Sequence, residues 1–173
     1  FVRQPVMASI ADSKLSFTEQ MRSIGREPSS RHINQHIVAA TDKIARALQI
    51  QAGDPIFEIT RVRLADNVPI LLETACLSAT RFPGLLEQDW SQNESLYKVL
   101  GDKYQVNVSA LDHIIKPVAL TATEARYLSA KAGIPALLSE IIAYTSQGLP
   151  VEYTWSVSNG SKSEFYFHFQ RIE

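Results

Sequence analysis

Arg61 and Arg63 stand two residues apart in the run Phe57-Glu58-Ile59-Thr60-Arg61-Val62-Arg63, a β-branched and aromatic stretch of the kind that forms strands. Alternate side chains of a strand share a face, so both guanidiniums point the same way, about 7 Å apart at roughly 3.3 Å per residue. At that separation two unit charges repel by about 2 kcal/mol at an effective dielectric near 20. A sheet face carrying both needs a counter-charge, and Glu73, in the next strand-like run, is the residue placed to supply it.

Whether it does so depends on the turn Ala65-Asp66-Asn67-Val68. A two-residue turn at Asp66-Asn67 sets Glu73 opposite Thr60, on the face away from the arginines. A three-residue loop, Ala65-Asp66-Asn67 with Asn67 left-handed, sets Glu73 opposite Ile59 and diagonal to Arg61 on the same face. Asn tolerates the left-handed conformation, and Asp-Asn lacks the glycine that two-residue turns favour, so the three-residue loop is expected. Two cations and one anion then leave a net positive charge. A guanidinium fork grips phosphate or carboxylate through paired bonds, and Glu73 would accept from ligand hydroxyls or amines. On an open face the same residues are an ordinary cross-strand ion pair; spacing alone does not separate the two readings.

The elements around this pair follow from period and punctuation. Residues 1–10 have no clear period and include Pro5, which reads as an arm or linker, and the folded domain is expected over 11–173. Leu15, Phe17, Met21 and Ile24 mark a helical stripe over 13–24 that stops at Gly25. A strand is expected over 30–39, then a helix over 42–50 capped by Thr41. The hairpin pairs 56–64 with 69–77. A short helix over 95–104, a strand over 106–120 and a helix over 121–132 come next. Strands over 136–145, 149–157 and 164–171 follow, divided by turns at Gln147-Gly148 and Asn159-Gly160. The sum is an α+β domain whose largely antiparallel sheet is flanked by helices.

The bulk numbers exclude several classes. At 173 residues, 45% hydrophobic and 20% charged, the chain is one globular domain able to bury a core, and its net charge of −1 argues against a nucleic-acid surface. No apolar run approaches the roughly 18 residues of a membrane helix, and no signal-peptide pattern opens the chain, which fits a cytoplasmic setting. The single Cys76 cannot form an internal disulfide and has no base beside it in sequence. His32, His36, His113 and His168 lack metal-ligand spacing, so neither a metal nor a cofactor is expected.

Taken in order, a set of short motifs resembles the UTRA domain, the ligand-sensing half of the HutC branch of GntR-family transcription regulators. The motifs are Ser16-Phe17-Thr18-Glu19-Gln20-Met21, Gly25-Arg26-Glu27-Pro28-Ser29-Ser30, Arg61-Val62-Arg63-Leu64-Ala65-Asp66 and Pro69-Ile70-Leu71-Leu72-Glu73. They continue with Phe82-Pro83-Gly84-Leu85, Ser95-Leu96-Tyr97 and Gly148-Leu149-Pro150-Val151-Glu152-Tyr153. The resemblance spans residues 13–169 and implies a chorismate lyase-like fold with a pocket between sheet and helices. It implies that Arg61 and Arg63 hold an anionic effector such as a sugar phosphate or organic acid, and that Glu73 and Glu152 contact its polar groups. Ser16 and Phe17 would contribute to a phosphate site, and Ser95 and Tyr97 would line the pocket. Each has a plainer role: Phe17 in a helix's apolar stripe, Ser95 as an N-cap, Tyr97 in the core. Relatives often carry tyrosine where this chain has Ser158, so an aromatic wall is expected to be missing and an amino-sugar phosphate is only the leading ligand.

Phe1-Val2 resembles the end of the winged helix in that family. This implies a DNA-binding domain upstream, a repressor acting as a homodimer, and no DNA binding by these residues themselves. The competing class is an enzyme resembling chorismate lyase, which also uses arginine and glutamate on this fold; the regulator-type spacing of Arg61-Val62-Arg63 weighs against it, and no catalytic residue is assigned.

Overall fold

A computed structural model describes residues 6–9, 16–90 and 95–166. Its elements are β1 (Val6–Ser9), α1 (Phe17–Ser23), β2 (Pro28–Ala39), α2 (Asp42–Leu48), β3 (Pro55–Ala65), β4 (Val68–Ser78), α3 (Leu96–Tyr104), β5 (Ala110–Ala119), α4 (Ala122–Tyr127), β6 (Pro135–Tyr144), β7 (Pro150–Asn159) and β8 (Ser163–Tyr166). Six strands form one antiparallel sheet in the order β2-β3-β4-β7-β6-β5. The fold is therefore α+β, as expected.

Alternation divides the sheet into two working faces. On one, Ile56, Cys76 and Tyr153 pack under Ile44, Ala45 and Leu48 of α2, and Val157 packs with Ala125 of α4 and the following Leu128. That side is apolar beneath the two helices, with the Glu58–His36 pair and the Glu140 carboxylate, which Lys43 and Lys116 bind, set among the apolar residues. On the other, Phe57, Ile59, Ala75 and Leu77 meet Phe82, Leu85 and Trp90 of the long connection after β4, with Leu96, Val99 and Leu100 of α3. A small cluster of Met21, Ala65 and Ile70 seats α1 beyond it. Pro117 is tolerated in β5 because that strand is an edge, where a missing N–H breaks no inner ladder.

Several sequence expectations shift. Ser16 is the N-cap of α1 and α4 ends at Tyr127, so the helices read over 13–24 and 121–132 are shorter. Val6–Ser9, assigned to the linker by its lack of period, is a strand paired in parallel with Ser163–Tyr166, so part of residues 1–10 is hydrogen-bonded to the domain. Phe1-Val2, Leu15, His168, Phe169 and the end of the strand read to Arg171 lie outside the described residues.

The hairpin carries the main correction. The turn is the two-residue one: Asp66 (φ 49°) and Asn67 (φ 63°) are both left-handed, and Ala65 pairs with Val68. Asp66 is held there by Arg26 Nη1 at 2.6 Å and the Glu27 N–H at 2.9 Å, which compensates for the absent glycine. The register then slips, because Leu64 pairs with Pro69 and Arg63 with Leu71, leaving Ile70 as an extra residue on β4. Pro69 cannot donate to the ladder, and a bulge is where a strand accommodates it. The outcome sets Glu73 directly opposite Arg61 rather than opposite Ile59.

Candidate functional site

The bulge brings three charges into one buried cluster. Arg61 Nη2 donates to Glu73 Oε1 at 2.6 Å, and Arg63 Nη1 donates to the same oxygen at 3.1 Å. Arg61 is 3% exposed, Arg63 5% and Glu73 9%, so the group is desolvated rather than a surface ladder. Arg63 Nη2 also donates to Thr18 Oγ1 of α1 at 3.0 Å. Its guanidinium lies 4.8 Å from the Phe17 ring centre, while that of Arg61 lies 5.6 Å from the Trp90 ring. The Nε of each arginine is buried without a hydrogen-bond partner among the described residues. Burial, with the Arg61 charge alongside, lowers Arg63 to about 10, still cationic at neutral pH. Burial alone would push Glu73 up, yet the two arginines hold its carboxyl below the usual carboxylate range.

This cluster forms one wall of a cavity between the sheet and α1 and α3. β7 contributes Glu152, Thr154, Ser156 and Ser158, β6 contributes Ser139 and Ile141, and β5 contributes Leu111 and His113. Thr154 Oγ1 donates to Glu152 Oε1 at 2.6 Å. Burial raises Glu152 above the ordinary carboxylate range, and the Glu73 charge adds to that against the opposing bonds. Burial, together with the Glu152 carboxylate, likewise pushes the Tyr97 phenol well up.

All eight residues singled out in the sequence line this cavity: Arg61, Arg63, Glu73 and Glu152, with Ser16, Phe17, Ser95 and Tyr97. Their local situations differ. Ser16 caps α1 in a reciprocal box with Glu19: its hydroxyl accepts from the Glu19 N–H at 3.2 Å, and its own N–H donates to Glu19 Oε2 at 3.2 Å. The Glu19 carboxylate therefore already occupies the amino end of α1, where a phosphate had been expected. Ser95 sits at the N-cap of α3 but makes no side-chain capping bond, and the first turn of α3 carries no acidic residue. Phe17 serves both readings, packing on the α1 cluster and covering Arg63. A second depression shares Ser16, Thr18, Ser95 and Tyr97 and continues past Arg22 and Lys98.

The sequence reading missed Thr18, Trp90, Ser139, Thr154, Ser156 and Ser163. The signal for Thr154 and Ser156 was present as the period-two polar run Glu152, Thr154, Ser156, Ser158. A polar alternation normally marks a solvent face, but nearly every residue of β7 is buried. Here the polar side faces the cavity. His113, singled out in the sequence only for lacking metal-ligand spacing, lies half-buried on the cavity wall, its pKa lowered by burial. Cys76 points to the opposite face of the sheet, where burial pushes its thiol up, and His36 pairs with Glu58 at 3.1 Å.

A sheet-floored cavity with a buried, partly neutralised cationic wall defines a ligand-binding domain. The chain belongs to the UTRA domain family, which matches residues 23–164. It is 30% identical over 172 residues to the HTH-type transcriptional repressor NagR of Bacillus subtilis (strain 168), covering 99% of this chain and 70% of that protein. Over 185 residues it is 24% identical to the mannosyl-D-glycerate transport/metabolism system repressor MngR of Escherichia coli (strain K12), covering 98% of this chain and 76% of that one. The chain spans only 62% and 61% of the length of two further curated relatives. Among solved structures, the effector domain of PhnF from Mycobacterium smegmatis shares the fold with a TM-score of 0.86 at 24% identity, covering 94% of this chain and 99% of that domain.

Proposed function

We propose that this chain is the sensing half of a bacterial transcription repressor, that its cavity binds a small anionic metabolite, and that it catalyses nothing. The observation that carries the reading is the Arg61–Arg63–Glu73 cluster. Two buried cations share one carboxylate oxygen, both Nε groups are orphaned, and the three-residue cluster carries one more cation than anion on a cavity wall. A desolvated charge without a partner is costly, and an entering phosphate or carboxylate supplies the missing counter-charge and acceptors. An amino-sugar phosphate leads the candidates. The name of MngR points to mannosyl-D-glycerate, a sugar derivative that also carries an acid. The DNA reader is a winged helix joined through residues 1–10, the working unit is a cytoplasmic homodimer, and effector binding shifts the spacing of its two recognition helices.

The test is thermal unfolding with glucosamine 6-phosphate, N-acetylglucosamine 6-phosphate and mannosyl-D-glycerate. A ligand that binds only the folded state stabilises it by about 2.7 kcal/mol at a hundred times its Kd, so a true effector gives a clear rise in Tm. Arg61→Ala and Arg63→Ala are expected to abolish that rise. A rise that survives both substitutions removes these residues from the site. Steady release of 4-hydroxybenzoate from chorismate would replace the sensor with an enzyme.

A further inference from the structure

β5 is one of the two edges of the six-stranded sheet, and it runs its whole ten-residue length beside β6 without a register shift. The other edge, β2, is interrupted by a shift between His32 and Asn34, the kind of irregularity that turns an edge away from further pairing. Leu120, the residue after β5, donates its N–H inward to the Ile134 carbonyl at 3.1 Å. By alternation, the even-numbered residues of β5 turn their backbone groups to β6, and Leu111, His113, Ile115 and Pro117 turn theirs outward. Pro117 fits this pattern, because its missing N–H then falls on the open side. Of the side chains, Asp112, Ile114 and Lys116 share the face away from the cavity, and all three are exposed. Ile114 is 55% exposed, more than any other large apolar residue among those described.

We propose that β5 is the docking surface for β5 of a second copy of this chain, paired antiparallel about a two-fold axis at Ile114, so that the two sheets join into one. This rests on the homodimer proposed above and gives it a surface. In that register Ile114 meets the partner's Ile114, Asp112 meets the partner's Lys116, and Lys116 meets the partner's Asp112. Each full charge on the strand then faces its opposite, and the exposed isoleucine is covered by its own copy. Both charged side chains are already held on this face, Lys116 by Glu140 at 2.7 Å and Asp112 by the Tyr144 hydroxyl at 2.8 Å. The outward backbone groups match as well. His113 exchanges bonds with the partner's Ile115, and the Leu111 N–H donates to the carbonyl of the partner's Pro117. The missing N–H of Pro117 affects only the outer end of the seam. Moving the axis by one residue keeps the backbone match but sets Ile114 against the partner's Asp112 or the partner's Lys116, so the side chains select one register. Leu111 and His113 of the same strand line the cavity, which places the effector site directly beside the seam.

The experiment uses the 173-residue chain and measures its mass and dimer Kd by sedimentation. Asp112→Lys alone, or Lys116→Asp alone, sets like charges across the axis, and each is expected to weaken the dimer about tenfold. Mixed in equal amounts, the two variants are expected to form a heterodimer as tight as wild type, because each then meets opposite charge on the other. Ile114→Cys alters only an exposed side chain and gives a second readout. Facing Cα atoms of a pair without hydrogen bonds lie about 4.5 Å apart, within disulfide reach, so oxidation by diamide is expected to yield a covalent dimer. The one native thiol, Cys76, is buried and does not compete. Ile37→Cys, on the β2 edge and 42% exposed, is expected to stay uncross-linked. A dimer that ignores both charge reversals, fails to cross-link at position 114, or cross-links at position 37 instead overturns the β5 seam while the homodimer stands. A chain that stays monomeric at every concentration overturns both. Thermal unfolding of each charge variant separates lost pairing from lost structure, and where one melts early the cross-link at position 114 decides alone.

Discussion

Glu73 and Glu152 lie on neighbouring strands in the same cavity, yet their acidities move in opposite directions. Two arginines hold the Glu73 carboxyl down, while burial beside the Glu73 charge holds Glu152 up. The consequences for folding are opposite. A carboxyl depressed in the folded state adds stability above its unfolded value that is lost as pH falls through its folded value. One raised in the folded state adds stability below its unfolded value, about 4.5 here, that is lost as pH rises through the folded value. Glu152→Gln keeps the shape and removes the titration. The variant is expected to melt above wild type at pH 8, with a smaller difference at pH 5. Melting curves across that range check this, and a difference that shrinks as pH rises refutes it. A retained buried acid that costs stability at neutral pH is consistent with a residue kept for ligand contact.

The β3–β4 hairpin shows where sequence reasoning succeeds and where it stops. Alternation gives the shared face of Arg61 and Arg63, whereas Glu73 reaches that face through the bulge at Ile70 and not through the three-residue loop from which it was expected. The register expected for Glu73 was wrong, although its face was right. Local turn preference disfavours Asp66-Asn67 without glycine, but tertiary bonds from Arg26 and Glu27 to Asp66 reverse that preference. The bulge at Ile70 was legible only through Pro69. The polar run of β7 was visible, but which face of a doubly covered strand holds the cavity is settled by packing from α1 and α3, which no strand pattern encodes. The turn geometry makes its own prediction. Asn67 sits at φ 63°, which costs an ordinary L residue about 1–2 kcal/mol and β-branched residues most. Asn67→Val is expected to lower stability by that amount, with Asn67→Gly close to wild type. Urea unfolding checks the ranking, and a valine variant as stable as asparagine would show that the turn is not held left-handed in solution.

Across the whole molecule the two faces of the sheet are mechanically unequal. The α2 and α4 side is packed against its helices, with ion pairs at Glu58 and Glu140, whereas the α1 and α3 side encloses the cavity. α1 has seven residues, too few to be stable alone. Its attachments include the small Met21 cluster, the Thr18 hydroxyl on Arg63 and the Phe17 ring over the same guanidinium. Two of these pass through a residue proposed above for effector contact. An anion that fixes Arg63 removes freedom from α1, while the centres of β3 and β4 are already locked between neighbours and gain little. Amide hydrogen exchange with and without saturating glucosamine 6-phosphate is expected to slow most in residues 17–23, and least in the middle of β3 and β4. Phe17→Ala loosens one attachment and should reduce that protection more than it reduces binding. Equal protection across α1 and the sheet, or none in α1 at saturation, would mean that the occupied cavity does not communicate with this helix.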